Sequence, residues 1–142
     1  MTSFVVDASI ALAWAFDEVH PRASLGREAL RTGEAIVPSL WWFEVRNGLI
    51  MGERRGRLGE RDTARFLRDI SRLALRLDRL PDEASVLALA RRHRLTAYDA
   101  AYLELAQRMG VALATLDTQL AEAARAERVP LLGEEANGDN MA

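Results

Sequence analysis

The sequence predicts an α/β protein, three layers α/β/α around a central, mainly parallel five-stranded sheet. Three observations carry that expectation. Short apolar segments alternate with amphipathic helical ones along the chain, and strands spaced by helices favour a parallel sheet covered on both faces. Two apolar segments, Phe4-Val5-Val6-Asp7 and Leu113-Ala114-Thr115-Leu116-Asp117, run into an aspartate that opens a helix. No internal repeat or linker divides the 142 residues, and a chain of that length buries roughly 70% of its unfolded surface in one domain.

The elements follow in order. Ser3 to Val6 reads as a buried strand and Ala8 to about Phe16 as a helix. Pro21 suits an early helical position, with Gly33 as the stop of that helix. Ala35 to Val37 forms a second strand. Ser39 is expected to cap a long helix running to about Arg55, stopped by Gly56. Arg61 to about Leu73 is helical, and Ala74 to Leu77 is a third strand despite Arg76. Pro81 opens a helix through about Arg92. Thr96 caps another that ends at Gly110. Val111 to Thr115 is a fourth strand, Thr118 to about Glu127 a helix, and Val129 to Leu132 a fifth strand. Residues 1–132 therefore form the domain, and 133–142, acidic and rich in Gly and Asn, a disordered tail.

Composition excludes several chemistries. Hydrophobic residues make up 49% and charged residues 28%, an ordinary globular balance. The longest apolar run, Ile10 to Phe16, is too short to span a bilayer, so no membrane association is expected. The N-terminus enters Phe4-Val5-Val6 without a basic leader, which makes a cytoplasmic location the default. The absence of cysteine removes disulfides, thiolate metal sites and cysteine nucleophiles. All 19 basic residues are arginine, so there is no P-loop lysine, Schiff base or lysine general base. Coding bias accounts for that usage as well as function does. A net charge of −2 is not that of a polycation that coats nucleic acid.

In open α/β sheets ligands gather outside the carboxyl ends of the strands, where Asp7 and Asp117 fall. Both also suit plain helix N-caps. Asp99, three residues after Thr96, has capping-box spacing. Glu44 lies early in its helix, where an acid suits the dipole. Placement argues for more than capping. Around Glu44 the positions three, four and seven residues away are Leu40, Asn47, Gly48 and Met51, a mostly small or apolar stripe. Asp99 continues a stripe through Tyr102, Leu103, Ala106 and Met109 that should face the core. A carboxylate there must be paired, protonated or bound to a cation. Neither acid has a basic residue on its own face one turn away. Four acids converging on one cleft need a divalent cation, and oxygen ligands suit Mg²⁺ or Mn²⁺.

Four blocks resemble the PIN domain family and, within it, the VapC toxins of toxin–antitoxin pairs. They are Val5-Val6-Asp7-Ala8-Ser9, Val37-Pro38-Ser39 leading into Glu44-Val45-Arg46-Asn47, Thr96-Ala97-Tyr98-Asp99-Ala100-Ala101-Tyr102, and Leu113-Ala114-Thr115-Leu116-Asp117. The resemblance implies a PIN-like fold and an endoribonuclease that hydrolyses RNA phosphodiester bonds with a metal-activated water. It implies that Asp7, Glu44, Asp99 and Asp117 hold Mg²⁺ or Mn²⁺, with Ser9 and Thr115 supporting the acids and Asn47 beside the glutamate. The alternatives for these three are a first-turn helix residue, an ordinary strand residue and an exposed one. It also implies two protein partners, a cognate antitoxin and a second copy of the chain. Gln119 and Leu120 follow Asp117 where some relatives carry another acid, so only four acids are counted.

His20 and His93 lie in polar settings expected to be exposed, which disfavours a metal-free, two-histidine ribonuclease. Arg46, Arg54, Arg55 and Arg57 on or just after the Glu44 helix are candidates for RNA phosphates, with Arg91, Arg92 and Arg94 as a second group. Solvated helix ends that complement the dipole are the alternative. One helix cannot turn Trp41, Trp42 and Phe43 all inward, because successive residues are spread about 100° apart. At least one should meet a partner or a base. A receiver or dehalogenase-like phosphotransfer domain fails for want of a paired acid near Asp7 and of any lysine. A catalytically inactive PIN-like module that binds protein or RNA survives if the acids are caps or do not converge.

Overall fold

The computed structural model describes residues 2–134. Four parallel strands, β1 (Ser3–Val6), β2 (Glu34–Val37), β3 (Leu75–Leu77) and β4 (Ala112–Ala114), lie in the order β3-β2-β1-β4. Seven helices accompany them: α1 (Ala8–Ala15), α2 (Pro21–Ala29), α3 (Ser39–Arg54), α4 (Glu60–Ile70), α5 (Glu83–His93), α6 (Ala97–Met109) and α7 (Thr118–Ala126). Each strand-to-strand crossover carries two of them, as parallel pairing demands. In register, Val5 of β1 stands opposite Ile36 of β2 and Leu113 of β4. Phe4, Val5 and Val6 are fully buried, which is why β1 is apolar throughout instead of alternating.

The expected fifth strand is only a bridge, Leu113 opposite Leu131. Leu113 N–H donates to Pro130 O and Leu132 N–H to Leu113 O. Pairing stops there for local reasons. Val129 spends its N–H on Ala124 O at the end of α7, and Pro130 has none to give. The chain then turns away, and Glu134 ion-pairs with Arg22 and Arg125. The expected tail beyond it lies outside the described residues.

Other boundaries moved by a few residues. Pro38, not Ser39, occupies the N-cap of α3, and Ser39 is its first helical residue. Helix α5 opens at Glu83 rather than Pro81, with Asp82 capping it by accepting from Ser85 N–H. Helix α4 ends at Ile70 rather than near Leu73, where Ser71 Oγ donates back to Arg68 O. Strand β3 tolerates Arg76 because it is the sheet edge, where that side chain is exposed and reaches Glu34. Among the described residues no helix is long and apolar enough to cross a membrane.

Two packing features place the functional side chains. Helix α6 is buried over seven consecutive residues, Ala100 to Ala106, and packs on β1 and β4. Helix α3 approaches α1 closely at Gly48 and Gly52. A Cβ there would stand 2.5 Å from Leu12 and from Phe16 respectively, closer than side-chain atoms normally meet. Both glycines share a face with Glu44 at four-residue spacing, so Glu44 lies on the face of α3 that packs on α1.

Candidate active site

Asp7 follows β1 and caps α1, accepting from Ile10 N–H at 3.2 Å. Its other partners are hydroxyls. Ser9 Oγ donates to Oδ1 at 2.6 Å, and Thr115 Oγ1 donates to Oδ2. Each hydroxyl in turn accepts a backbone N–H beyond β4: Leu116 on Ser9 and Asp117 on Thr115, both at 2.9 Å. The two strand ends are thereby stitched together across the sheet. Asp7 is only 5% exposed. Burial pushes its carboxyl up to about 6, against the pull of these hydrogen bonds, and Asp99 adds repulsion.

Glu44 is half-buried and accepts from Tyr102 Oη at 2.5 Å. Burial raises its carboxyl above the ordinary range; the Tyr102 bond opposes this and Asp99 reinforces it. Burial beside Glu44 and Asp7 raises the Tyr102 phenol in turn, so it stays a donor. Asp99, in the first turn of α6, is raised by burial and then by Asp117. Its backbone N–H donates to Thr96 Oγ1, while its carboxylate takes no hydrogen bond among the described residues. Asp117 caps α7 through Leu120 N–H at 2.9 Å and is exposed.

The four acids thus face one another electrostatically, with Asp99 in common: it repels Asp7 and Glu44 and is repelled by Asp117. Among the described residues none of the four has an arginine or histidine in ion-pair contact; the pairs lie elsewhere. Nor do three of them stand together as a ready-made metal-holding group. The donor set is all oxygen, without histidine or cysteine, and matches hard cations such as Mg²⁺ or Mn²⁺.

Ser9 and Thr115 both donate to Asp7. Asn47 is exposed, and its amide makes no hydrogen bond among the described residues. Tyr102 was missed as a site residue, being read as core. Its signal was available: a buried phenol needs a partner, and it lies three residues after Asp99 on the same face of α6. Met109, placed on the core-facing stripe, is 41% exposed, because α6 is ending there and Gly110 turns the chain.

The arginines divide. Arg57 already pairs with Glu18 at 3.2 Å and lies over the Phe16 ring. Arg46 lies over Trp42, 4.1 Å from the ring centroid, and Arg54 reaches only the Met51 sulfur. Arg55 is exposed at the C-cap of α3. In the second group Arg92 pairs with Glu127, and so does His93, whose side chain is 15% exposed rather than in open solvent. His20 caps α2 through its ring nitrogen. Neither histidine joins the acids. Of the three aromatics Trp41 is buried, while Trp42 and Phe43 are 44% and 67% exposed.

The PIN domain family model matches residues 4–126. The chain belongs to the PIN domain family. Ribonuclease VapC3 of Pyrobaculum aerophilum is 38% identical over 123 residues, covering 83% of this chain and 92% of that protein. Ribonuclease VapC9 of Mycobacterium tuberculosis is 36% identical over 128 residues, covering 87% and 92%. The crystal structure of PAE2754 from Pyrobaculum aerophilum superposes with a TM-score of 0.69 at 24% identity, covering 86% of this chain and 84% of that one. It shares the fold. In this PIN domain Asp7 and Asp117 follow β1 and β4, Asp99 lies in the first turn of α6, and Glu44 lies on α3.

Proposed function

We propose that this PIN domain is a metal-dependent endoribonuclease, the toxin of a toxin–antitoxin pair, working in the cytoplasm. The observation that carries the reading is that Asp99 repels Asp7, Glu44 and Asp117, while none of the four has an arginine or histidine in ion-pair contact among the described residues. Asp7, Glu44, Asp99 and Asp117 would hold Mg²⁺ or Mn²⁺, which would acidify a water and offset the charge that builds on the scissile phosphate. The chain does the positioning. Ser9 and Thr115 fix both oxygens of Asp7, and Tyr102 fixes Glu44. Arg54 and Arg55, which have no carboxylate partner among the described residues, are candidates to meet RNA phosphates. Arg46 is a further candidate, and Arg57 a weaker one because Glu18 already neutralises it.

The names of the VapC relatives support ribonuclease action, and the repulsion that links the four acids through Asp99 favours it over an inactive binding module. A cognate antitoxin and a second copy of the chain are the protein partners that the VapC resemblance adds. The test is purified protein, free of antitoxin, incubated with structured RNA, total tRNA and DNA, with and without Mg²⁺. Cleavage of RNA only with Mg²⁺, lost in folded Asp99→Asn protein, is the expected result. Full activity in folded Asp99→Asn protein would sink the assignment, and cleavage of DNA alone would change the substrate.

A further inference from the structure

Beside the acidic centre lies a cavity of about 340 Å³ lined by Leu40, Phe43, Glu44, Asn47 and Tyr98. Its volume falls within the roughly 300–1,000 Å³ of small-ligand sites. Phe43 comes from the second turn of α3 and Tyr98 from the first turn of α6, and at 67% and 64% exposure they leave much of their ring surface uncovered. Phe43 is nonetheless braced. Its ring meets Trp42 edge-on at 5.0 Å between centroids, and Trp42 carries the Arg46 guanidinium. Asn47, one turn after Phe43, offers an amide with both donor and acceptor free. Glu44 belongs to this cavity and to the acid cluster, so whatever fills the cavity touches the reacting region.

We propose that this cavity takes one unpaired base of single-stranded RNA next to the scissile phosphate, stacked on Phe43 and Tyr98 and met on its edge by Asn47. The inference rests on the ribonuclease reading and names a binding subsite for it. A base has the chemistry the walls ask for: flat apolar faces for the two rings and polar edges for the amide. It is neutral, so Glu44 does not repel it as it would a phosphate. A paired base cannot enter, since its faces and edge are already occupied. An apolar side chain from a protein partner would suit the rings but would cover Asn47 and Glu44 without hydrogen bonds, which is costly.

The test uses the full chain and a short single-stranded RNA. Phe43→Ala and Tyr98→Ala should each raise KM roughly tenfold, the scale of one lost base–aromatic stack, with kcat within about twofold, an allowance resting on loss of uniform binding. Tyr98→Phe should restore KM, because stacking needs the ring and not the hydroxyl. In an Asp99→Asn background, where cleavage is silent, a 2-aminopurine at the subsite position should be quenched, and the two alanine variants should abolish the quench. If the unaltered chain cleaves RNA while the alanine variants keep KM and quench, the subsite is overturned and the ribonuclease reading stands. If it cleaves no RNA but quenches the base in a Phe43- and Tyr98-dependent way, the subsite stands and the ribonuclease reading falls. Alanine variants that shrink the particle in sedimentation with KM unchanged would assign this face to a second copy, overturning the subsite.

Discussion

Asp7 and Glu104 are the two most deeply buried acids among the described residues, at 5% and 2% exposure, and their surroundings differ in kind. Glu104, on the buried stretch of α6, accepts from Arg108 Nε at 2.6 Å and Nη2 at 3.1 Å. Arg108 continues to Asp78 at 2.5 Å, and Glu104 also receives Asp82 N–H. That network fastens the connection between β3 and α5 onto α6. Asp7 is offered hydroxyls and one backbone N–H, and the charge that acts on it is that of Asp99. A structural acid in this fold is thus neutralised by the chain itself, whereas Asp7 is oriented and left without a counter-charge. Burial alone does not separate the two roles; the kind of partner does.

The comparison is most open to challenge through paired substitutions. Asp7→Asn should lower RNA cleavage by at least about a hundredfold, beyond the usual effect of losing a residue behind a metal ligand. It should not lower stability in urea titration, because the charge that burial penalises is gone. Marked destabilisation would make Asp7 a structural acid like Glu104. Arg108→Ala should do the opposite, stranding Glu104 in the core. A loss of about 3 kcal/mol is expected, with cleavage retained at temperatures where the variant is folded. If activity collapses while stability holds, the division of roles is wrong.

Thr115→Val is a finer probe. It keeps the shape and removes one hydroxyl from Asp7, so cleavage should fall about tenfold at a stability cost of about 1 kcal/mol. Unchanged activity would show that Ser9 alone suffices to orient Asp7. The smallest expected effect concerns Glu127, whose carboxyl is held down at about 2 by His93 first and then by Arg92 and Gln107. A depressed carboxyl contributes stability above its ordinary value of 4.5 and loses it as pH falls toward 2. Thermal unfolding between pH 5 and pH 2.5 should show that loss, and Glu127→Gln should flatten it. An identical acid slope in the variant would remove Glu127 from the account.

The ion pair within α6 was readable from spacing, since Glu104 and Arg108 stand at i and i+4. The reach of Arg108 to Asp78, thirty residues away, was not. Helix α6 itself was legible at both ends, through Thr96 and Gly110. Its burial all round was not, because an amphipathic stripe describes one face and here both faces find neighbours. The fifth strand failed for a reason visible only after folding: Val129 was already committed to α7 when pairing should have begun.

For the candidate site, local order along the chain was enough to name Asp7, Glu44, Asp99 and Asp117. Each stands at a strand end or on an apolar stripe, and both signals are short-range. The sequence by itself determined the parallel α/β plan, and it nominated the four acids and showed no basic residue one turn from Glu44 or Asp99. Only the tertiary structure decided that Ser9 and Thr115 share one carboxylate, that Tyr102 belongs to Glu44, and that Asp99 is the acid the other three have in common. Those are contacts between segments up to 108 residues apart. A periodic pattern shows which way a side chain points from its own element, but not which neighbour the packing of other elements brings to meet it.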